Sequence, residues 1–446
     1  FGSSPAGSSL AGLLGELWTW RAPLARIVPD ALCDGSMIRY SNGGFHHVIN
    51  LFHLGGSAFP FGMYVGLPCA LMSTGLKVLV ERGLLQEWVG WDETRGILLE
   101  AAPWNGFSFL VGFLIVFRTS QSYTRFWDAC RHTADMRAQW YDAAAALCAF
   151  CVHSSKAEEN VLEFKHTMVR LFSMLHALAL GEMEDTDGSH IIAFNVELLD
   201  PDGIDADSLR YLQEADCKVA LLLQWMLVLI VTNIRTGVLS IPPPILSRVF
   251  QQIGNGMVAL HQAIKISTIP FPFPYAQACD FLLVMHWMTT PLIIQTWTSS
   301  PWWSFVFSYL MVFIYWTLNA IAIGLENPFG TDANDLDYSE LQNEMNRQLM
   351  VLLKETAYRP PHLAASHRVK FQKARARATA HAKVSGAGED HILGRSLDEV
   401  WADLRREHQE QEEGESQGTE SCEIEVDHKH LTAVVEQVVS RQRVDD

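Results

Sequence analysis

The chain has 446 residues, 49% of them apolar and 19% charged, below the ~25% charge of ordinary soluble domains. Its formal charge is −17, and 17 acidic against 6 basic residues fall in residues 386–446. An acidic chain lacks the basic face that nucleic acids require, which excludes that partner class, and eight scattered cysteines make no disulfide framework.

In chain order, residues 1–56 are a mixed arm. Its start, Phe1–Ser9, is small and Ser/Gly-rich and is read as the surroundings of a removed targeting segment. Ser57–Leu76 is an uncharged, apolar stretch long enough to span a bilayer, which takes ~20 residues. Ala101–Phe117 is a second, shorter one. Before it, Glu81 to Glu100 holds five acids and two bases; after it come Arg118, Arg125, Arg131 and Arg137. The positive-inside rule places the Arg-rich continuation on the cytoplasm-equivalent side. Residues 129–275 read as a helical soluble-side domain. Val219–Ile234 lacks charge but includes Gln224, Thr232 and Asn233, and is read as a buried helix of that domain.

Pro242–Pro244 predicts a break before a new helix, and Pro270, Pro272 and Pro274 predict an extended run, because proline removes donors and biases its predecessor away from the helix. Between Asp280 and Glu326 lie 45 residues without Asp, Glu, Lys or Arg. That length holds two spans, residues 276–325, with the turn at Ser299–Trp303. Residues 326–365 are an acidic loop and a helix, the latter capped by Asp337 and Glu340 and expected to reach about Thr356. Residues 366–383 are basic and 386–446 acidic, with too little apolar surface to offset ordering entropy; this tail is expected to be mostly disordered. The fold class is all-α, with four membrane helices and a helical domain on one side.

Several groups carry candidate chemistry. Asn105, Phe109, Phe113 and Phe117 recur every four residues, hence on one slowly drifting stripe. Arg118 and Arg125 share another face, either pairing with boundary acids or attracting anions. Asp332, Asn334 and Asp335, behind Asn327, offer hard oxygen ligands of the kind calcium takes; helix capping is the alternative reading. Cys148 and Cys151 are assigned to core packing. Nothing resembles a catalytic triad or a phosphate loop, so no enzyme is expected.

Four stretches occur together in order: Phe107–Phe113 (FSFLVGF), Phe117–Trp127 (FRTSQSYTRFW), Ile269–Gln277 (IPFPFPYAQ) and Glu326–Leu336 (ENPFGTDANDL). Over roughly residues 40–355 the set resembles the bestrophin family of anion channels. The resemblance implies a homopentamer in a lipid bilayer around one central pore, passing monovalent anions such as chloride, bicarbonate or nitrate. It assigns Asn105, Phe109 and Phe113 to a pore neck, Ile245 to a lower aperture, and Asp332, Asp335 and Asn327 to a calcium loop. Asn105 replaces an aliphatic residue of the animal proteins. Ala333 and Asn334 thin the acidic run, as in the prokaryotic branch. Plant and algal relatives imply a plastid membrane, the thylakoid. The rival reading is a structural or pigment-binding membrane subunit, with His286 as the pigment ligand.

Overall fold

The computed structural model describes residues 53, 55–83, 101–184, 196–330, 332–362, 401–402 and 405–406. Two compact units divide the chain, Phe1–Arg359 and Pro360–Asp446. In the second unit the described residues Trp401, Ala402, Arg405 and Arg406 are helical; the basic stretch and almost all of the acidic tail lie outside the described residues, as does most of the N-terminal arm.

The first unit is built from α1 (Phe59–Glu81), α2 (Ala101–Phe150), α3 (Glu158–Glu184), α4 (Ala206–Glu214), α5 (Lys218–Thr236), α6 (Pro243–Thr268), α7 (Phe273–Trp297), α8 (Pro301–Glu326) and α9 (Tyr338–Val351). No strand occurs among the described residues. Proline sits in the first turn of α1, α6, α7 and α8, where its missing N–H costs nothing. Gly237 ends α5 at φ +85, a left-handed conformation that favours glycine. Asp337 caps α9 by accepting from the Glu340 N–H at 3.0 Å.

Local details differ from the sequence reading. α2 runs unbroken for 50 residues, about 75 Å at 1.5 Å per residue, so the expected boundary at residue 128 falls inside one helix. The extended proline run is shorter than expected: Phe273 and Pro274 already belong to the first turn of α7. The turn between α7 and α8 is residues 298–300, which leaves Trp302 and Trp303 within α8. α9 stops at Val351, and a 3-10 turn follows at Glu355–Tyr358.

Two cores hold the unit together. One lies between α2, α7 and α8, where Val111, Ile115 and Leu283 are buried against Phe107, Tyr315 and Trp316. α1 closes against α8 so tightly that a Cβ at Gly62 would collide with Thr317. The larger core joins the second half of α2 to α3, α5, α6 and α9 around Trp140, Phe172, Leu175, Met226 and Leu260. Trp140 donates its indole N–H to the Ile253 carbonyl at 3.3 Å across this core. A polar network fixes α9 to α3. His176 Nδ1 bonds Gln342 Oε1 at 2.7 Å, Gln342 donates to the Ser173 carbonyl at 3.0 Å, and the Ser173 hydroxyl donates to Asn346 Oδ1 at 2.7 Å.

Three of the described helices are long and apolar enough to cross a membrane: α1, α5 and α8, with mean hydropathy 1.5, 1.7 and 1.8. The sequence reading places α5 on the soluble side, whereas its length and hydropathy also suit a span. It buries Val219, Leu222, Met226 and Ile230 in the larger core and exposes Val228 and Val231 on its other face.

Candidate functional site

The site begins with the two faces of α2. Trp104, Ser108, Val111, Ile115 and Arg118 recur at helical spacing and are buried against α7 and α8. Turned away from them are Asn105, Phe109, Phe113 and Phe117, all exposed. Phe109 and Phe113 are 71% and 60% exposed, unusual for rings that bury well. Phe107 lies on the packed face instead, with its ring 5.7 Å from Trp104 and 6.3 Å from His286.

His286 is fully buried at the centre of that inside face. Trp104 stacks on it at 5.1 Å and Tyr315 meets it edge-on at 4.8 Å. Thr290 gives its proton to the His286 carbonyl at 2.6 Å and lies 3.4 Å from Nδ1. The ring therefore packs between helices, fully buried, with its Nε2 without a hydrogen-bond partner among the described residues.

Arg118 and Arg125 both find partners inside the chain. The Arg118 guanidinium is buried, 3.3 Å from Asp280, 3.6 Å from Glu326 and 2.9 Å from the Asn319 side-chain oxygen it donates to. Arg125 donates to the carbonyls of Glu326, Ile266 and Ile269 at 3.0, 2.6 and 2.8 Å, satisfying chain ends of α8 and α6. Burial pulls the Arg125 guanidinium down from its usual value, against the raising effect of Glu326. Arg118 thus makes the pairing with boundary acids that the sequence reading allows, whereas Arg125 meets backbone carbonyls instead of acid side chains. Asp280 and Glu326 were visible as the charges that bound the uncharged run; that one arginine joins them was not.

After α8, Asn327 Oδ1 accepts from the Phe329 N–H at 3.3 Å, and Phe329 plugs into the larger core. The chain then turns on itself: Asp335 Oδ2 accepts from the Asp332 N–H at 2.8 Å, and the Asp335 N–H donates to the Asp332 carbonyl at 2.9 Å. Asp332 is exposed and Asp335 buried, with Oδ1 lacking a partner. Burial, with Asp332 adding to it, pushes the Asp335 carboxyl up to about 7, although the Asp332 N–H opposes the shift. Asn334 donates to the Gly56 carbonyl at 2.8 Å and ties the loop to the chain before α1. Among the described residues no three His, Cys, Asp or Glu groups gather as a metal cluster. Two carboxylates, one with an orphaned buried oxygen, still fit a hard, oxygen-preferring cation in kind.

Ile245 stands in the first turn of α6, half-exposed, beside buried Leu246. Cys148 and Cys151 are buried free thiols of the larger core, and burial pushes Cys151 up to about 12, far from a reactive thiolate.

Residues 67–351 match the family model described as "Bacterial/Fungal Bestrophin protein". A voltage-dependent anion channel-forming protein of Nostoc sp. is 24% identical over 243 residues, 54% of this chain and 74% of that protein. Two crystal structures of a bacterial bestrophin homologue from Klebsiella pneumoniae share the fold. One, a point variant, has a TM-score of 0.55 and 17% identity over 66% of this chain and 99% of its own. The other has a TM-score of 0.54 and 16% identity over 65% and 97%. With the family model covering well over half of the sequence, and the α2 face, the α7–α8 hairpin and the acidic turn in place, the chain belongs to the bestrophin family.

Proposed function

We propose that this protein is a passive anion channel, a homopentamer in which α1, the first part of α2, α7 and α8 cross the bilayer. The observation that carries the reading is the uncovered Phe109/Phe113 face of α2 opposite a face packed on the bundle. Five such faces around an axis make stacked phenyl rings, a constriction that gates by losing its water. Ring edges carry partial positive charge and tolerate a passing anion better than aliphatic walls do. Asn105 opens this neck with a polar, wetter ring. Ile245 forms the lower aperture.

The permeant ions are chloride and other monovalent anions, bicarbonate or nitrate among them. Arg118 and Arg125 hold α2 to its neighbours just beyond its membrane-crossing part, so the neck keeps its register while anions pass. Calcium, where present, would be held by Asp332, Asp335 and Asn327 and would supply positive charge that stiffens the turn after α8. The proposed membrane is that of a plastid, the thylakoid, which fractionation tests. The decisive experiment reconstitutes the full chain in liposomes and measures reversal potentials in chloride, nitrate, bicarbonate and potassium gradients. Anion selectivity is expected; cation selectivity, or no conductance from a folded pentamer, overturns the proposal.

A further inference from the structure

Two phenol hydroxyls reach the backbone of α2. Tyr315 of α8 donates to the Ser108 carbonyl at 3.1 Å, and Tyr275 of α7 donates to the Leu114 carbonyl at 3.2 Å. Both carbonyls lie inside an unbroken helix, whose ladder already offers them the N–H groups four residues on, those of Gly112 and Arg118. Each phenol therefore takes the second lone pair of its oxygen. The helix does not need either bond to be satisfied; the bonds tie it to its neighbours.

Gly112 makes room for the first of them. A Cβ there would stand 3.3 Å from both Cε1 and Oη of Tyr315. The Tyr315 ring is fixed edge-on against His286 at 4.8 Å. Tyr275 lies 5.6 Å from the Phe117 ring and 5.5 Å from that of Phe271.

The angular positions give the two bonds their meaning. At ~100° per residue, Ser108 and Leu114 stand about 120° apart across the packed face of α2, with buried Val111 and Ile115 between them in angle. Phe109 and Phe113 fall on the opposite side, and rings so exposed have little side-chain packing to fix their direction. Along the axis both residues lie between the two bonded carbonyls, a stretch of about 9 Å. The roll of α2 about its own axis thus decides where the rings point. One phenol holds each flank of the packed face, so each sense of roll meets a bond. A roll of about 10° would carry a ring ~6 Å from the helix axis by about 1 Å.

We propose that Tyr315 and Tyr275 are positioning residues that set the roll of α2, and through it the closure of the Phe109/Phe113 neck. The inference rests on the neck reading above and adds the regulation of that site. While both bonds hold, the rings keep one direction and the neck closes dry; when either opens, α2 rolls and the rings part.

The test is single-channel recording of the full chain in planar bilayers, with the thermal midpoint of the same preparations measured alongside. Tyr315→Phe and Tyr275→Phe each remove one hydroxyl and keep the ring. Each should raise the open probability about threefold or more while lowering the midpoint by less than about 4 °C, as one hydrogen bond allows. Gly112→Ala pushes Tyr315 from the same carbonyl while favouring the helix itself, so it should act like Tyr315→Phe, and the two together should do no more than either alone. Additive effects refute that shared bond. Phe113→Ala, recorded beside them, separates the two readings. If it alters the currents and neither Tyr315→Phe nor Tyr275→Phe does, the neck stands, the phenols only satisfy their own hydroxyls, and the proposal is overturned. If Phe109→Ala/Phe113→Ala conducts as the wild type does, the neck reading falls and this proposal falls with it. A change in open probability that comes only with a collapsed thermal midpoint also overturns it, since the hydroxyls then hold the fold and not the roll.

Discussion

Arg118→Gln is the substitution whose outcome the geometry fixes most closely. Among the described residues the guanidinium is the one cation joining Asp280, Glu326 and the Asn319 oxygen, in the first half of α2. Removing one partner of a buried ion pair costs ~3–5 kcal/mol, because the other charge is left uncompensated. Here the Asp280 side chain is 54% exposed and draws on water, whereas Glu326 is 17% exposed and does not, so about 3 kcal/mol is expected. Arg118→Lys keeps the charge but loses the fork that reaches three oxygens, and should cost about 1–2 kcal/mol. Arg118→Gln with Glu326→Gln removes the stranded carboxylate and should recover about half of the loss. Denaturant unfolding of the purified chain measures these values, with anion flux in liposomes recorded in parallel. If Arg118→Gln costs less than ~1 kcal/mol while flux collapses, the arginine serves passing anions rather than the bundle, and the reasoning fails.

In the proposed pentamer, Phe113→Ala should raise conductance and weaken closure, because losing five rings would widen and wet the neck; unchanged currents from a folded Phe109→Ala/Phe113→Ala protein would show that this face does not line a pore. Asp332→Ala separates the two uses of the acidic turn: a calcium loop predicts loss of a calcium response with assembly intact, whereas a channel equally active in chelator and in calcium rejects that loop. His176 is held down to about 4, chiefly by burial, with Arg137 contributing and the bond to Gln342 opposing. Since the unfolded value of 6.5 is the higher one, the unfolded chain binds the extra proton, and stability is lost as pH falls from about 6.5 toward 4, by at most ~3 kcal/mol. His176→Gln should flatten that part of the pH profile relative to wild type; an identical slope would remove His176 as its source.

The sequence by itself determined the features that depend on local chemistry. An uncharged run of 45 residues cannot sit in water without burying its faces, so the α7–α8 hairpin was legible from charge alone. The Asp337 cap and the prolines that open α6 follow from backbone donors and fixed φ. Spacing showed that Phe109 and Phe113 share a stripe, but periodicity names the residues on a face and is silent on what covers it. Tertiary packing decided that Phe107 turns inward onto His286 while Phe109 and Phe113 stay uncovered. It also joined Arg118 to acids 162 and 208 residues away, buried Asp335 while leaving Asp332 exposed, and set one face of α5 into the larger core. Such contacts bring together side chains far apart in sequence, and their free energy belongs to the pair, so neither residue alone carries the signal.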